Sequence, residues 1–459
     1  MTIRKCSCLL ACCLLSATLF AQSARTKPSA AAPQAAASSV VLKGGKLLTI
    51  SRGTIENGTL VMQDGKITAV GPASSVGIPR GAKVIDATGM TIYPGFIDSE
   101  THVGLLEIDL DRATNDMVET SDEIMPHMHV YDAFHAESDV IPVTRINGVT
   151  NVVVVPDAQD SVPGQDSFVQ LDGRNADEMI LIRDNALAVN FIPDVRRNDS
   201  MEAGKFPSTR MGVAAQLRQA FIDAQDYARK WREYEEKKTK KSNSNPAEEK
   251  KDGEEKKDKE SEPPKRDLKL EALLPYLEGK KPVVLAAEEP SDVQVALRLA
   301  REFNLKIVLN RLTHAGPVLD QIAAAKVAAI VGPIYENPKD DARYDATFRL
   351  PAELHKRGVK IAFASYDTHQ SRNLPYAAGY AVAFGLPYEE ALKAITLNPA
   401  EIWGVADRLG SLDVGKMANV AVANGDPLDV KTDVKRVFIA GREIPMQNRQ
   451  TQLRDQYSK

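Results

Sequence analysis

Cysteine is almost missing from this sequence, because its four cysteines, Cys6, Cys8, Cys12 and Cys13, all lie within the first thirteen residues. If that segment is removed on export, the mature chain contains no cysteine at all. Disulfide bonds, thiol catalysis and cysteine-ligated metal sites are then excluded together.

The sequence also lacks the short motifs of several other protein classes. No G-x-G-x-x-G follows a predicted strand and no G-x-x-x-x-G-K-[ST] occurs, so neither common phosphate-binding loop is present. The absence of G-x-S-x-G argues against a serine hydrolase. A net charge of −4 over 459 residues offers no basic surface for nucleic acid, and we expect no such partner.

The N-terminal segment predicts export. Arg4 and Lys5 precede an apolar run at residues 9–20, and small residues follow it. This pattern is typical of a signal peptide over residues 1–23, and the run is too short for a membrane-spanning helix. An uncleaved anchor and a lipid-modified cysteine are the alternatives. We therefore expect a periplasmic or secreted protein with no membrane span after signal removal.

Short β-type runs occupy both ends of the remaining chain. Residues 24–39 are rich in Ala, Ser and Pro, which predicts a disordered linker. Residues 40–92 contain apolar runs separated by glycines, with a hairpin turn at Asp64-Gly65. Similar runs return in 408–446, before a tail at 447–459. This arrangement predicts one small β-sandwich assembled from both ends of the chain.

The middle of the chain, residues 93–407, alternates strand-like and helix-like segments. Compact apolar runs such as VTNVVVVP, KPVVLAA and LKIVLN are separated by amphipathic stretches such as SDVQVALRLAREF. This alternation predicts an α/β fold with parallel strands. The length favours a (β/α)₈ TIM barrel, although periodicity alone leaves a doubly wound sheet open.

One charged segment interrupts this alternation. Residues 230–267 contain 13 Lys or Arg and 12 Asp or Glu, so their charges nearly cancel. We interpret the segment as the exposed end of a helix that starts at about Arg210 and runs into a disordered insertion. A solvated spacer is favoured over a tail that docks a partner.

Two motifs resemble the amidohydrolase superfamily. YPGFIDSETHVG, residues 93–104, is similar to the first barrel strand of that family, whose usual form is P-G-[FLI]-I-D-x-H-x-H. TLNPA at 396–400 and GSLDVGK at 410–416 resemble the stretch that closes the barrel and re-enters the sandwich. The closest branch is the imidazolonepropionase-like group of exported bacterial members. The resemblance implies a barrel holding one or two divalent ions and a hydrolase of C–N bonds.

The resemblance assigns metal positions, and several of them are altered here. Glu100 replaces the first histidine of the H-x-H pair, while His102 keeps the second, and both face one side of a strand. The strand-five histidine is replaced by Ala286 and the strand-six histidine by Arg311. An arginine offers only donors and repels a cation. Asp367 matches the strand-eight aspartate, which in the family acts as the general base.

Other side chains are possible substitutes in such a site. His369 repeats the i, i+2 spacing after Asp367, and Glu288 and His314 follow the altered strand-five and strand-six positions. Asp194 or Glu288 is the nearest match for the bridging group of the family. The sequence therefore predicts either one Zn²⁺ or Mn²⁺ held by some of Glu100, His102, Asp367, His369 and Glu288, or no catalytic metal at all.

Two functional classes remain open. In the first, an exported hydrolase cleaves a C–N bond of a small substrate, with Asp367 as general base. A metal-free variant of this class has Arg311 stabilising an oxyanion. In the second, a catalytically inactive relative keeps the pocket as a ligand-binding or partner subunit, and Arg311 offsets the charges of Glu100 and Asp367. A homodimer and pairing with an active relative are both open.

Overall fold

The computed structural model describes residues 39–119, 121–191, 206–243, 262–337 and 342–458. The predicted signal peptide and nearly all of the predicted linker lie outside these ranges. The described residues belong to one compact unit that spans Ser38–Lys459.

Eighteen strands are present in the described ranges. They are β1 Val40–Leu48, β2 Thr54–Gln63, β3 Lys66–Pro72, β4 Lys83–Asp86, β5 Thr91–Pro94, β6 Phe96–Thr101, β7 Val149–Val154, β8 Gly164–Gln165, β9 Ser167–Gln170, β10 Ile180–Ile182, β11 Leu187–Asn190, β12 Val283–Ala286, β13 Ile307–Asn310, β14 Ala328–Val331, β15 Ile361–Phe363, β16 Val420–Ala423, β17 Val434–Ile439 and β18 Arg442–Ile444.

Twelve α-helices accompany them in the same ranges. They are α1 Val130–Ala133, α2 Val140–Arg145, α3 Ala176–Met179, α4 Arg210–Asn243, α5 Leu268–Leu277, α6 Pro290–Glu302, α7 Leu319–Ala325, α8 Ala346–Lys356, α9 Leu374–Ala383, α10 Tyr388–Ala394, α11 Leu397–Ile402 and α12 Arg449–Tyr457.

An eight-stranded sheet joins the two ends of the described chain. Its strand order is β18-β17-β16-β5-β1-β2-β3, and β4 pairs with β1. The predicted turn at Asp64-Gly65 connects β2 and β3, and both residues have the positive φ that a tight hairpin needs. A core of aliphatic side chains covers one face of this sheet, including Leu42, Leu60 and Val420.

Two further sheets supply the strands of the middle segment. The six-stranded sheet has the order β15-β14-β13-β12-β11-β8, and its strands β11 to β15 are parallel. The four-stranded sheet has the order β10-β9-β7-β6, in which β6 and β7 are parallel. These sheets and the helices between their strands confirm the predicted α/β fold.

The middle segment is less regular than strand–helix repetition predicts. β8 pairs antiparallel with β11, and β9 pairs antiparallel with β7, so these two strands reverse the expected direction. Only Asp166 separates β8 from β9, which makes residues 164–170 a bridge between the two sheets. The sheets also contact each other at β6 and β15, where the Tyr366 amide donates to the Glu100 carbonyl oxygen at 3.0 Å.

The charged segment begins within a helix. α4 continues to Asn243, so residues 230–243 are helical, and α5 follows from Leu268. The first half of α4 packs on the core through Val213, Leu217 and Phe221, all buried. Residues 244–261, where the disordered insertion was predicted, lie outside the described residues.

Gly95 provides a test of the junction between the eight-stranded sheet and β6. A Cβ at this position would lie 2.8 Å from the Cβ of Thr150 on β7, which is too close for any side-chain shift to relieve cheaply. We expect Gly95→Ala to lower the free energy of unfolding by about 1–3 kcal/mol, measured by urea denaturation. Gly77→Ala is the matched control, since nothing lies within 4 Å of its Cβ. Equal stability of both variants would contradict this account of the junction.

Candidate functional site

The end of β6 places two titratable side chains on the same side of the strand. Glu100 and His102 are two residues apart and are only 4% and 5% exposed. The carboxylate of Glu100 accepts a short hydrogen bond from the Asn310 amide at Oε2. Its Oε1 lies 3.5 Å from Nη2 of Arg311. Both oxygens of this buried carboxylate therefore have donor partners.

Arg311 follows β13 and occupies a left-handed backbone conformation, with φ of 67°. Its guanidinium lies 4.9 Å from the ring centroid of Tyr366, in cation–π contact. Burial lowers the pKa of Arg311, but the carboxylates of Glu100 and Glu288 raise it more, and the net shift is upward. The guanidinium therefore stays charged, as the negative surroundings favour the cation.

Asn310 connects these groups, and the sequence analysis missed it. The Tyr366 hydroxyl donates to Asn310 Oδ1 at 2.6 Å, while the Asn310 amide donates to Glu100. The parallel register pairs Asn310 with Ala286, so these two strand ends point the same way. Two consecutive residues, Asn310 at the end of β13 and Arg311 directly after it, therefore contact Glu100. Predicting the contact of Asn310 with Glu100 requires the register between the strands, which a single sequence does not show.

A backbone carbonyl group fixes the orientation of the His102 ring. Its Nδ1 lies 2.7 Å from the Val155 carbonyl oxygen, which can only accept, so this nitrogen carries the proton. The Nε2 atom then faces Asp157, whose Oδ1 is 3.9 Å away. Asp157 is a neighbour of the site that sequence reasoning did not single out.

The side chains of Asp367 and His369 contact other groups than the Glu100 carboxylate does. Oδ1 of Asp367 accepts the amides of His369 at 2.6 Å and Gln370 at 2.8 Å, which caps the turn after β15. The exposed His369 faces a separate surface hollow that also contains Glu107 and His135. The two members of the predicted ligand pair, Asp367 and His369, thus line different hollows.

The remaining predicted residues flank the site. Glu288 and His314 meet through their backbones, where the His314 amide donates to the Glu288 carbonyl oxygen at 3.2 Å. Asp194 lies outside the described residues. Within the described ranges, no three His, Cys, Asp or Glu side chains are grouped so that they could hold a metal ion.

Two buried aspartates also belong to this region. Burial raises the pKa of Asp98 to about 7, although hydrogen bonds from Ser365 and Ser371 oppose the shift. Burial, together with the charge of Glu100, raises the pKa of Asp166 to about 8. Oδ2 of Asp166 is buried without a hydrogen-bond partner among the described residues. Both carboxyls can therefore exchange a proton near neutral pH.

A cavity of about 1040 Å³ opens beside Arg311. Tyr366 and Asp367 also line it, together with three more tyrosines: Tyr335, Tyr376 and Tyr380. The volume suffices for a small organic molecule. Since Arg311 lines this space and also contacts Glu100, the cavity lies next to the position where the resemblance implies a metal ligand.

Asp166 makes stability depend on pH. Its folded pKa of about 8 exceeds the ordinary 3.8, so the folded state binds the extra proton and stability falls as pH rises from about 4 to about 8. We expect Asp166→Asn to reduce this slope by up to about 1.4 kcal/mol per pH unit. Urea unfolding at several pH values measures it, with the exposed Asp407→Asn as control. An unchanged slope would contradict the assignment.

Comparisons with known proteins agree with the motifs. The amidohydrolase family model matches residues 288–444. Amidohydrolase tasK of Hapsidospora irregularis is 24% identical over 406 residues, which cover 84% of this chain and 39% of that protein. Adenine deaminase of Listeria monocytogenes is 27% identical over 128 residues, covering 28% of this chain and 17% of that protein. The chain thus spans less than half the length of these curated relatives.

A solved structure resembles nearly the whole described chain. The crystal structure of an amidohydrolase from Thermotoga maritima MSB8 superposes with a TM-score of 0.78 at 29% identity. The match covers 89% of this chain and 100% of that one. The family model, the sequence relatives and this structure agree with the two motifs and support the amidohydrolase superfamily as the family of this chain.

Proposed function

We propose that this protein binds a small organic molecule in the cavity beside Arg311 and does not carry out metal-dependent hydrolysis. The observation that carries the proposal is the contact between the Arg311 guanidinium and Glu100, the residue at the first ligand position of the family. A fixed cation there satisfies the carboxylate that would otherwise bind the ion. The pocket is kept while its usual source of hydroxide is lost.

The other residues present do not fit a family-type metal centre either. The Asn310 amide donates to the second oxygen of Glu100, so that carboxylate has no oxygen left without a donor. Ala286 has no ligating atom, and Asp367 is engaged in capping a turn. His102 keeps a ring nitrogen that can accept, whereas His369 faces the separate surface hollow. One imidazole beside a paired carboxylate is too few for a structural or catalytic site.

The scaffold we propose is a modified (β/α)₈ barrel with a β-sandwich built from both chain ends. The two contacts between the four- and six-stranded sheets, at β8–β9 and at β6–β15, support closure of the barrel. The eight-stranded sheet with strands from both ends supports the composite sandwich. In this scaffold one barrel strand, residues 164–170, runs antiparallel to its neighbours.

A second candidate function is hydrolysis of a C–N bond in a small substrate. The membership of the family and the relative named adenine deaminase favour it. Glu100 or Asp367 would deprotonate water, and Arg311 would stabilise the oxyanion that forms. The buried carboxyls of Asp98 and Asp166, whose pKa values lie near neutrality, would be proton reservoirs.

We also propose that the protein is exported, on the signal-peptide pattern of residues 1–23. In the described part of the chain, no helix has both the length and the apolar character to cross a membrane.

A partner subunit of the same family is proposed as well, as an alternative to a homodimer. The relative named tasK is more than twice as long as its matched segment, which leaves room for a second unit.

Restoring histidines tests the proposed loss of the metal site. We expect the double variant Ala286→His with Arg311→His to bind Zn²⁺ at least about tenfold more tightly than the wild type, because it adds two imidazoles and removes the competing cation. Isothermal titration measures the affinity. Ala286→His alone is the control, since it leaves the guanidinium against Glu100.

Three results would argue against the proposed function. Tight stoichiometric Zn²⁺ or Mn²⁺ binding by the wild type would show that the present side chains do form a centre. Turnover of amides or aminopurines by the wild type, abolished by Glu100→Gln, would favour the second candidate. No gain in the double variant would show that Ala286 and Arg311 are not the family's ligand positions.

A further inference from the structure

Negatively charged side chains outnumber positively charged ones around the cavity beside Arg311. Of the described residues that line it, Arg311 is the single cationic side chain, whereas Glu336, Asp367 and Asp429 are carboxylates. Asp367 and Asp429 are exposed, so both lie at the open side of the cavity. A charged ligand entering from this side would meet a negative potential first.

The side wall of the cavity is aromatic and uncharged. The rings of Tyr335 and Tyr380 meet edge to face, with centroids 5.7 Å apart and an angle of 88°. Tyr376 is the third ring, and its hydroxyl accepts from the Asn147 amide at 3.4 Å. Burial raises the pKa of Tyr335 to about 12, so its hydroxyl stays protonated. Such rings attract an organic cation and pack against an apolar body.

The buried end of the cavity favours an uncharged acceptor. Arg311 lines this end, and its guanidinium is 12% exposed, with Nη2 directed at Glu100. The carboxylates of Glu100, Glu288 and Asp157 all act on this guanidinium. Because Glu100 pairs with the guanidinium at 3.5 Å and the charges of Glu288 and Asp157 add to the negative field there, an added anion gains little from this cation. A carbonyl oxygen can accept from the guanidinium without that repulsion.

We propose that the cavity binds a small organic cation, namely an amine with an apolar or aromatic body whose uncharged carbonyl oxygen accepts from Arg311. The ammonium group lies near Asp367 and Asp429, and the body packs on the tyrosines. This inference rests on the proposed binding function and adds the class of ligand. It also predicts that anions of the same shape are rejected.

A series of probes on one skeleton tests the charge preference. L-Phenylalaninamide is cationic at about pH 6, N-acetylphenylalaninamide is neutral, and N-acetylphenylalanine is anionic. Isothermal titration of the full mature chain with each probe gives the dissociation constants. We expect the cation to bind about tenfold more tightly than the neutral probe, from two carboxylates at a partly solvated rim, and the anion not to bind measurably.

Conservative variants locate the ligand. Asp367→Asn keeps an oxygen that can cap the turn after β15 but removes the charge, and Asp429→Asn does the same at the other rim position. We expect each variant to weaken the binding of phenylalaninamide about threefold and to leave the affinity for the neutral probe unchanged. Tyr335→Leu should weaken the binding of both probes, whereas Tyr335→Phe should leave their affinities unchanged. Asp455→Asn on α12, away from the cavity, is the matched control for a lost exposed charge.

The outcomes separate this proposal from the function on which it rests. Equal or tighter binding of the anion would overturn the cation preference, and the cavity would still be a binding site. Binding of none of the three probes would overturn the ligand class. Conversion of phenylalaninamide to phenylalanine, followed by NMR, would overturn the non-hydrolytic function while leaving the preference for cations intact.

Discussion

The buried carboxylate of Glu100 is the constraint on which this site depends. An ionised carboxylate removed from water is costly unless donors surround it. Here the Asn310 amide and the Arg311 guanidinium supply those donors, and the Tyr366 hydroxyl holds Asn310 in turn. Arg311 and Tyr366 both adopt left-handed backbone conformations, with φ of 67° and 57°. Two strained residues, one after β13 and one after β15, thus bring a cation and its supporting ring to one carboxylate.

This arrangement changes what the family scaffold can do. A metal ion brings positive charge, open coordination positions and an activated water, whereas a guanidinium brings only charge and donors. The pocket next to it has a volume of about 1040 Å³ and a wall of tyrosines. Because Arg311 is largely neutralised by the carboxylates around it, the open side of the pocket is dominated by Asp367 and Asp429. Binding without metal chemistry, the function that we propose, uses all of these features.

The sequence predicted the elements better than their contacts. The periodic apolar runs predicted the α/β fold, and the Asp64-Gly65 turn is found between β2 and β3. The motif around Glu100 and His102 placed both residues at one strand end. The reversal of β8 and β9 left no local signal, because short apolar strands look the same in either direction. The role of Asn310 depends on strand register, and that of Asp367 depends on a turn closed by its own carboxylate.

In the function that we propose, the ion pair of Glu100 and Arg311 stands where the family holds its metal. Elemental analysis of the mature protein, purified without chelators or a histidine tag, tests it most directly. We predict far less than one equivalent of Zn²⁺ or Mn²⁺ per chain, even after incubation with excess of either ion and removal of the unbound fraction. One tightly held ion per chain, lost in His102→Ala, would contradict the account.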